Sequence, residues 1–221
     1  MNVRVLYNYI LTILGIREML PSDIINSKPV RECGEPMIRL NESKGLFPGD
    51  NATFCRRSVA EKLKVAAEGL SEMGLGLYIY ELYRSPEEQQ ARFDRTYRLL
   101  QEKYTNKDEL ERYARRSTAG VGGGHQTGGA VDLTLCDGNG TPLDMGSKYL
   151  DKCPQMVTSY RLPEEFVQRR KLLCKVLREV GFANYPGEWW HFSYGDRLWA
   201  AYRYKRFAIY GLKSNPYTGC E

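Results

Sequence analysis

Histidine is the scarcest reactive side chain in this 221-residue sequence, with only His125 and His191 present. Any chemistry that needs two imidazoles therefore has one possible pair. Long apolar runs are also missing. No stretch of about 18 uncharged apolar residues occurs, which excludes a membrane-spanning helix as the organising element. Blocks of like charge are absent too. The 32 Lys+Arg and 27 Asp+Glu are interleaved and leave a formal charge of +5, which argues against nucleic acid as the main partner. There is no CxxC pair, and Cys33, Cys55, Cys136, Cys153, Cys174 and Cys220 do not have the spacing of a zinc ribbon. A domain of this size does not need disulfide staples, so free or buried thiols are expected. No internal repeat and no low-complexity tract appears.

What is present suits one folded domain spanning 1–221. The 42% hydrophobic content is too high for a disordered chain. The apolar run at 5–16 is interrupted by Tyr7, Asn8, Tyr9 and Thr12, and no small-residue cleavage site follows it. It reads as a mature N-terminal helix rather than an export signal. A cytoplasmic location is expected, with the periplasm as the alternative that bridged cysteines would favour. Residues 1–54 are expected to wrap the surface, the part from 17 onward being loop-rich through Pro21, Pro29, Pro36 and Pro48.

Residues 56–73 carry Val59, Leu63, Val65, Ala66 and Leu70 near helical spacing, with Gly74 as a stop. Residues 75–82 are β-branched and aromatic and read as a strand. Ser85-Pro86-Glu87-Glu88 is a helix start with a capping box, for a helix reaching about Tyr104 and resuming over 107–116. The glycine-rich 120–129 cannot be regular, 130–135 is a strand and 163–180 a helix. Short strands are expected at 182–185 and 189–194, broken by Pro186-Gly187. Helices cluster before and between separated strands without βαβ alternation, which predicts an α+β fold with a central antiparallel sheet flanked by helices.

The chemistry gathers at two segments. His125 stands among glycines, where backbone can bend and a ligand can approach. Seven residues on, Asp132 falls inside an apolar strand, where a carboxylate must face water or meet a cation. Glu188 and His191 share an aromatic stretch with Trp189 and Trp190. In a regular strand positions 188 and 191 point to opposite faces, so both reach one site only if the chain bends or Glu188 lies on the entering turn. Each residue alone has a bland alternative: a hydrogen-bonded histidine, an exposed aspartate, an aromatic core strand with a surface glutamate. Together, two imidazoles and a carboxylate form a three-ligand set for zinc with a fourth position open to water. A non-ligating Glu188 could then accept the water proton, and Arg84, mounted between a strand end and a capped helix, could face developing negative charge. Two imidazoles and one carboxylate also suit other divalent ions.

His-x-x-Gly-x-Ala-x-Asp at 125–132, Met145-Gly-Ser, Glu-Trp-Trp-His at 188–191 and Tyr-Arg-Ser-Pro at 83–86 resemble the zinc D-alanyl-D-alanine dipeptidases of the vancomycin-resistance type. That family is grouped with D,D-carboxypeptidases and some phage endolysins of hedgehog-like fold, and the resemblance covers about residues 60–200. It implies one Zn²⁺ per chain held by His125, Asp132 and His191, Glu188 as general base and Arg84 as the transition-state arginine. It implies hydrolysis of the small D-Ala-D-Ala dipeptide, depleting a cell-wall precursor or recycling its fragments.

Two departures from the family pattern stand in this chain. Gly122, Gly123 and Gly124 occupy positions where the family often has serine. Leu150 stands where the resistance enzymes place an aspartate near the dipeptide amino group, with Asp151 one residue later as the candidate contact. Asp144 is a further possible ammonium partner. The alternatives are a D,D-carboxypeptidase or peptidoglycan endopeptidase acting on longer stems, and a non-catalytic zinc-binding module.

Overall fold

The computed structural model describes residues 3–13, 19–117 and 122–216. In chain order the elements are α1 (Val3–Ile13), α2 (Ser22–Asn26), β1 (Met37–Arg39), β2 (Leu46–Asn51), β3 (Phe54–Arg56), α3 (Arg57–Ser71), β4 (Leu75–Glu81), α4 (Pro86–Gln101), α5 (Lys107–Ser117), β5 (Ala130–Asp137), α6 (Glu164–Glu179), β6 (Ala183–Asn184), β7 (His191–Ser193) and α7 (Arg197–Tyr202). The central sheet has five strands in the order β2-β4-β5-β7-β6, and β1 and β3 form a separate antiparallel pair. This is the expected α+β architecture, with one difference at the edge. β2 runs parallel to β4, while β4-β5, β5-β7 and β7-β6 are antiparallel. A parallel neighbour needs a crossover, and α3 lies in that connection. Leu46–Asn51 carries a loop signal in sequence because it contains Pro48 and Gly49, residues a sheet tolerates at its margin.

The core forms where α3 and α6 lie on the sheet. Val59, Leu63, Ala66 and Leu70 repeat at steps of four, three and four along α3 and meet Leu77, Ile79, Val131, Leu133 and Leu135. Val65, counted from sequence with that stripe, points outward instead and is 60% exposed. At roughly 1.5–3 kcal/mol for each fully buried Leu, Ile or Val, this layer holds the sheet flat against the helices. Gly74 ends α3's last turn at φ +72°, a left-handed conformation that favours glycine. α4 starts with the anticipated capping box. The Glu88 N–H donates to Ser85 Oγ at 3.1 Å, and the Ser85 N–H donates to Glu88 Oε2 at 2.9 Å.

The N-terminal segment brings Tyr9, Leu20 and Ile24 against Ala201 of α7. On α1, Tyr9 is buried and its hydroxyl donates to the Ala201 carbonyl at 3.1 Å. Cys33, Cys55, Cys136, Cys153 and Cys174 are all free thiols. Cys220, residues 14–16 of the apolar run and residues 120–121 of the glycine-rich segment lie outside the described residues.

Candidate metal centre

Three neighbouring strands place three ionisable residues in a row. Glu81 on β4 pairs in register with Asp132 on β5, and Asp132 pairs with His191 on β7. Regular alternation would not produce this row. The register pairs Ile79 with Leu133 and then slips by one residue before Glu81 meets Asp132. Such a β-bulge turns the following side chain to the other face, and here it takes Glu81 from the Leu77/Ile79 side, packed in the core, to the Asp132 side.

His125 reaches the row from a 3-10 turn, Gly124–Thr127, just before β5. Its Nδ1 lies 2.6 Å from the Leu82 carbonyl, and its own carbonyl accepts the Arg84 N–H at 3.3 Å. The first contact orients the ring and aims Nε2 at Asp132 Oδ1, 3.3 Å away. The same Oδ1 lies 2.9 Å from His191 Nδ1. One donor atom from each of His125, Asp132 and His191 lies within 4.8 Å of the others. Tetrahedral zinc with bonds of roughly 2.0–2.2 Å separates its ligand atoms by about 3.3–3.6 Å, so this donor set fits such an ion.

Electrostatics show a site arranged for a cation. Asp132 is buried, which alone would raise its pKa. The charges and hydrogen bonds of His125 and His191 outweigh burial and hold it well below the usual carboxylate range. For His191 burial acts downward, but the hydrogen bond and charge of Asp132 raise the ring's pKa overall.

Of the remaining residues named from sequence, Glu188 and Arg84 line the cleft around this centre, and Asp151 and Asp144 do not. Glu188 lies on the turn entering β7, as the Pro186-Gly187 bend allows. Its N–H donates to the Tyr185 carbonyl at 3.0 Å, and its carboxylate lines the same cleft as the three ligands. Lys152 Nζ lies 4.0 Å from Glu188 Oε1, a long and partly solvated pair worth little. Arg84 also lines the cleft. Its Nε donates to Glu81 Oε1 at 2.9 Å, its NH2 pairs with Glu81 Oε2, and its NH1 donates to Gln89 Oε1 at 2.7 Å. Asp151 is exposed and outside the cleft lining. Its Oδ2 accepts the Lys148 N–H at 3.2 Å, while its neighbours Leu150 and Lys152 face the cleft. Asp144 spends Oδ1 on the Gly146 N–H at 2.8 Å and does not line the cleft either.

A family model described as D-ala-D-ala dipeptidase matches residues 41–209. The chain belongs to that family. It is accordingly a peptidase, a hydrolase of amide bonds. Among curated proteins it is similar to a D-alanyl-D-alanine dipeptidase of Synechocystis, 29% identical over 214 residues that cover 78% of this chain and 87% of that one. It is also similar to the enzyme of the same name from Enterococcus faecalis, 28% identical over 154 residues, 66% of this chain and 75% of that one. Solved structures with a looser likeness include VanYB in complex with D-alanine-D-alanine, with a TM-score of 0.48, 16% identity and coverage of 80% and 92% of the two chains. The LdcB LD-carboxypeptidase gives a TM-score of 0.43 and 21% identity, covering 75% and 68%.

Three site residues of this family member escaped the sequence reading. Glu81 is a carboxylate inside an apolar strand, the same signal that singled out Asp132. Asp196 is fully buried behind β7. It caps α7 through the Trp199 N–H at 2.8 Å and accepts from Ser193 Oγ at 2.8 Å. Its approach also explains one of the three glycines. A Cβ on Gly124 would lie 2.3 Å from Asp196 Oδ2 and 3.0 Å from Ala130 Cβ, so a serine there would collide. Arg56 is buried beneath the His125 turn, donating from Nε to the Thr127 carbonyl at 2.7 Å and pairing with Glu32.

Proposed function

We propose that this chain is a zinc peptidase that hydrolyses the D-alanyl-D-alanine dipeptide. The observation that carries the proposal is the convergence of His125, Asp132, His191, Glu188 and Arg84 on one cleft of about 1170 Å³. When bound by His125, Asp132 and His191, zinc would supply a Lewis acid and a water acidified toward pKa ~7. Glu188, beside the ligands without belonging to their cluster, accepts the proton of the attacking water. It then delivers that proton to the amide nitrogen as the C–N bond breaks, so that two free D-alanines leave. Negative charge gathers on the former carbonyl oxygen, and the Arg84 guanidinium, held by Glu81 and Gln89, is the fixed cation that meets it. Trp189 and Trp190 are buried behind the ligand strand and keep water from its core side. The physiological result is removal or recycling of a cell-wall building block.

Release of free D-alanine from the dipeptide by zinc-loaded protein is the test. Glu188→Gln is expected to lower kcat by about 10²–10⁴ while retaining bound metal. Full activity in that variant removes Glu188 from the proton-transfer role, and no turnover by the zinc-loaded wild type removes the dipeptidase reading.

One observation favours a second reading, a D,D-carboxypeptidase acting on longer peptides. The described cleft lining holds Asp132, Glu188 and Asp196 as its carboxylates, and each already has a task, while exposed Arg95, Lys152 and Arg197 line it as cations. No spare carboxylate stands ready for a dipeptide ammonium. An N-acylated peptide ending in D-Ala-D-Ala, assayed beside the free dipeptide, separates the two by the ratio of kcat/KM.

A further inference from the structure

Asp132 divides its two oxygens between different partners. Oδ1 faces both imidazoles, while Oδ2 accepts the Tyr149 hydroxyl at 3.0 Å. Tyr149 belongs neither to the metal-ligand set nor to a strand. It arrives from the loop between β5 and α6, the segment that also brings Leu150, Lys152, Cys153 and Met156 to the cleft.

Its ring is tightly held. It stacks on Tyr80 with centroids 4.2 Å apart and planes within 5°, and it meets Trp190 edge-on at 5.7 Å. A ring clamped on two sides aims its hydroxyl in one direction. That hydroxyl oxygen also lies 3.4 Å from Glu81 Oε2. Tyr149 therefore sits between two buried carboxylates that face each other in register, Glu81 and Asp132. Two such anions side by side are costly unless each is compensated. Glu81 has Arg84 and Arg92, and Asp132 has the imidazoles on one oxygen. Among the described residues, the side-chain donor on the other oxygen is Tyr149.

We propose that Tyr149 is a positioning residue joining the metal ligand Asp132 to the Glu81–Arg84 clamp. By occupying Oδ2 it holds Asp132 as a one-oxygen ligand with Oδ1 turned to the ion. By lying against Glu81 it fixes the distance between that ion and the Arg84 guanidinium. The cleft loop thus sets the geometry of the centre as well as forming a wall.

The inference rests on the zinc-peptidase reading, and metal affinity tests it apart from turnover. Tyr149→Phe keeps the stacked ring and removes only the hydroxyl. Partners of metal ligands are typically worth 10–100-fold in affinity. The zinc affinity of the metal-free variant, measured by competition with a chromogenic chelator, is expected to fall by about that factor. At saturating zinc, kcat is expected to drop with KM unchanged. Tyr80→Leu is the control, because it removes the stacking partner and leaves the hydroxyl. It should retain affinity within a fewfold. Unchanged zinc affinity in Tyr149→Phe overturns the proposal, and so does an equal loss in Tyr80→Leu, which would assign the effect to packing. Failure of the wild type to bind zinc would instead overturn the peptidase reading beneath it.

Discussion

Replacing Glu81 with alanine tests whether the Arg84 mount is built from this carboxylate. The Glu81 side chain is 4% exposed and accepts from both Arg84 and Arg92, whose side chains are 11% and 36% exposed. Burial alone would raise the Glu81 pKa. The hydrogen bond from Arg84 and the charges of His125, Arg84 and Arg92 outweigh that and leave it lowered. The Arg92 pair is partly solvated and contributes about 0–1 kcal/mol. The Arg84 pair is not, and removing one partner of a buried pair costs about 3–5 kcal/mol because the remaining charge stays uncompensated. In a chain of this length each kcal/mol moves the melting temperature by about 2–4 °C, so Glu81→Ala should melt about 6–20 °C lower. Release of the guanidinium should also lower kcat, approaching the roughly 10²–10³ characteristic of losing a fixed electrostatic donor. Calorimetry and a D-alanine release assay measure the two effects. A variant that melts within a degree or two of wild type and keeps full kcat, while Arg84→Ala is inactive, would refute the reasoning.

Gly124→Ala forces a Cβ against Asp196 and should cost about 1–3 kcal/mol and weaken zinc binding through His125, whereas Gly123→Ala, with nothing within 4 Å of its Cβ, should melt within about 0.5 kcal/mol of wild type. In metal-free protein, Asp132 and Glu81 have pKa values lowered from 3.8 and 4.5, so their contribution to stability is complete above those values and is lost as pH falls through the lower folded ones. His191 is raised from 6.5, so its contribution is present below 6.5 and is lost as pH rises through its higher folded value. Thermal melting in chelator should therefore peak between about pH 4.5 and 6.5, and added zinc, which requires neutral His191, should move the peak upward; a chelated protein most stable at pH 8 would contradict the assignment. Arg170 is buried on α6 and donates to the Met145 and Val157 carbonyls at 2.8 Å each, so Arg170→Met should cost about 1–3 kcal/mol per unpaired carbonyl and raise KM by loosening the cleft loop, as melting curves and steady-state kinetics would register.

Local rules carried the sequence reading where local physics decides. Ser85 and Glu88 announce a helix start because the capping box closes within four residues, and Gly74 ends a helix because its backbone must turn left-handed. Asp132, His125, His191 and Glu188 were legible because carboxylates and imidazoles are conspicuous among glycines and aromatics. Features that depend on distant partners were not. The parallel edge pairing of β2 needs β4 beside it, and nothing within Leu46–Asn51 names that neighbour. The bulge that re-aims Glu81 arises from register against β5, so Glu81 looked like one more residue of a strand although its signal matched that of Asp132. Tyr149 gave no signal of its own, since its role comes from where a long loop returns to the sheet.

That loop is fastened at more than one point. The Trp189 N–H donates to the Met156 carbonyl at 3.0 Å, and the Thr158 N–H donates to the Pro186 carbonyl at 2.9 Å. The segment that forms one lip of the cleft is thereby stitched to the bend that carries Glu188. A lengthened or shortened lip, whether through natural variation or design, would drag the Glu188 carboxylate, the proposed proton carrier, with it. Reshaping this enzyme for bulkier peptides calls for changes on the N-terminal part of the opposite rim, at Ile25, Asn26 and Val30, rather than on α4, whose Gln89 and Arg92 hold the Arg84–Glu81 clamp.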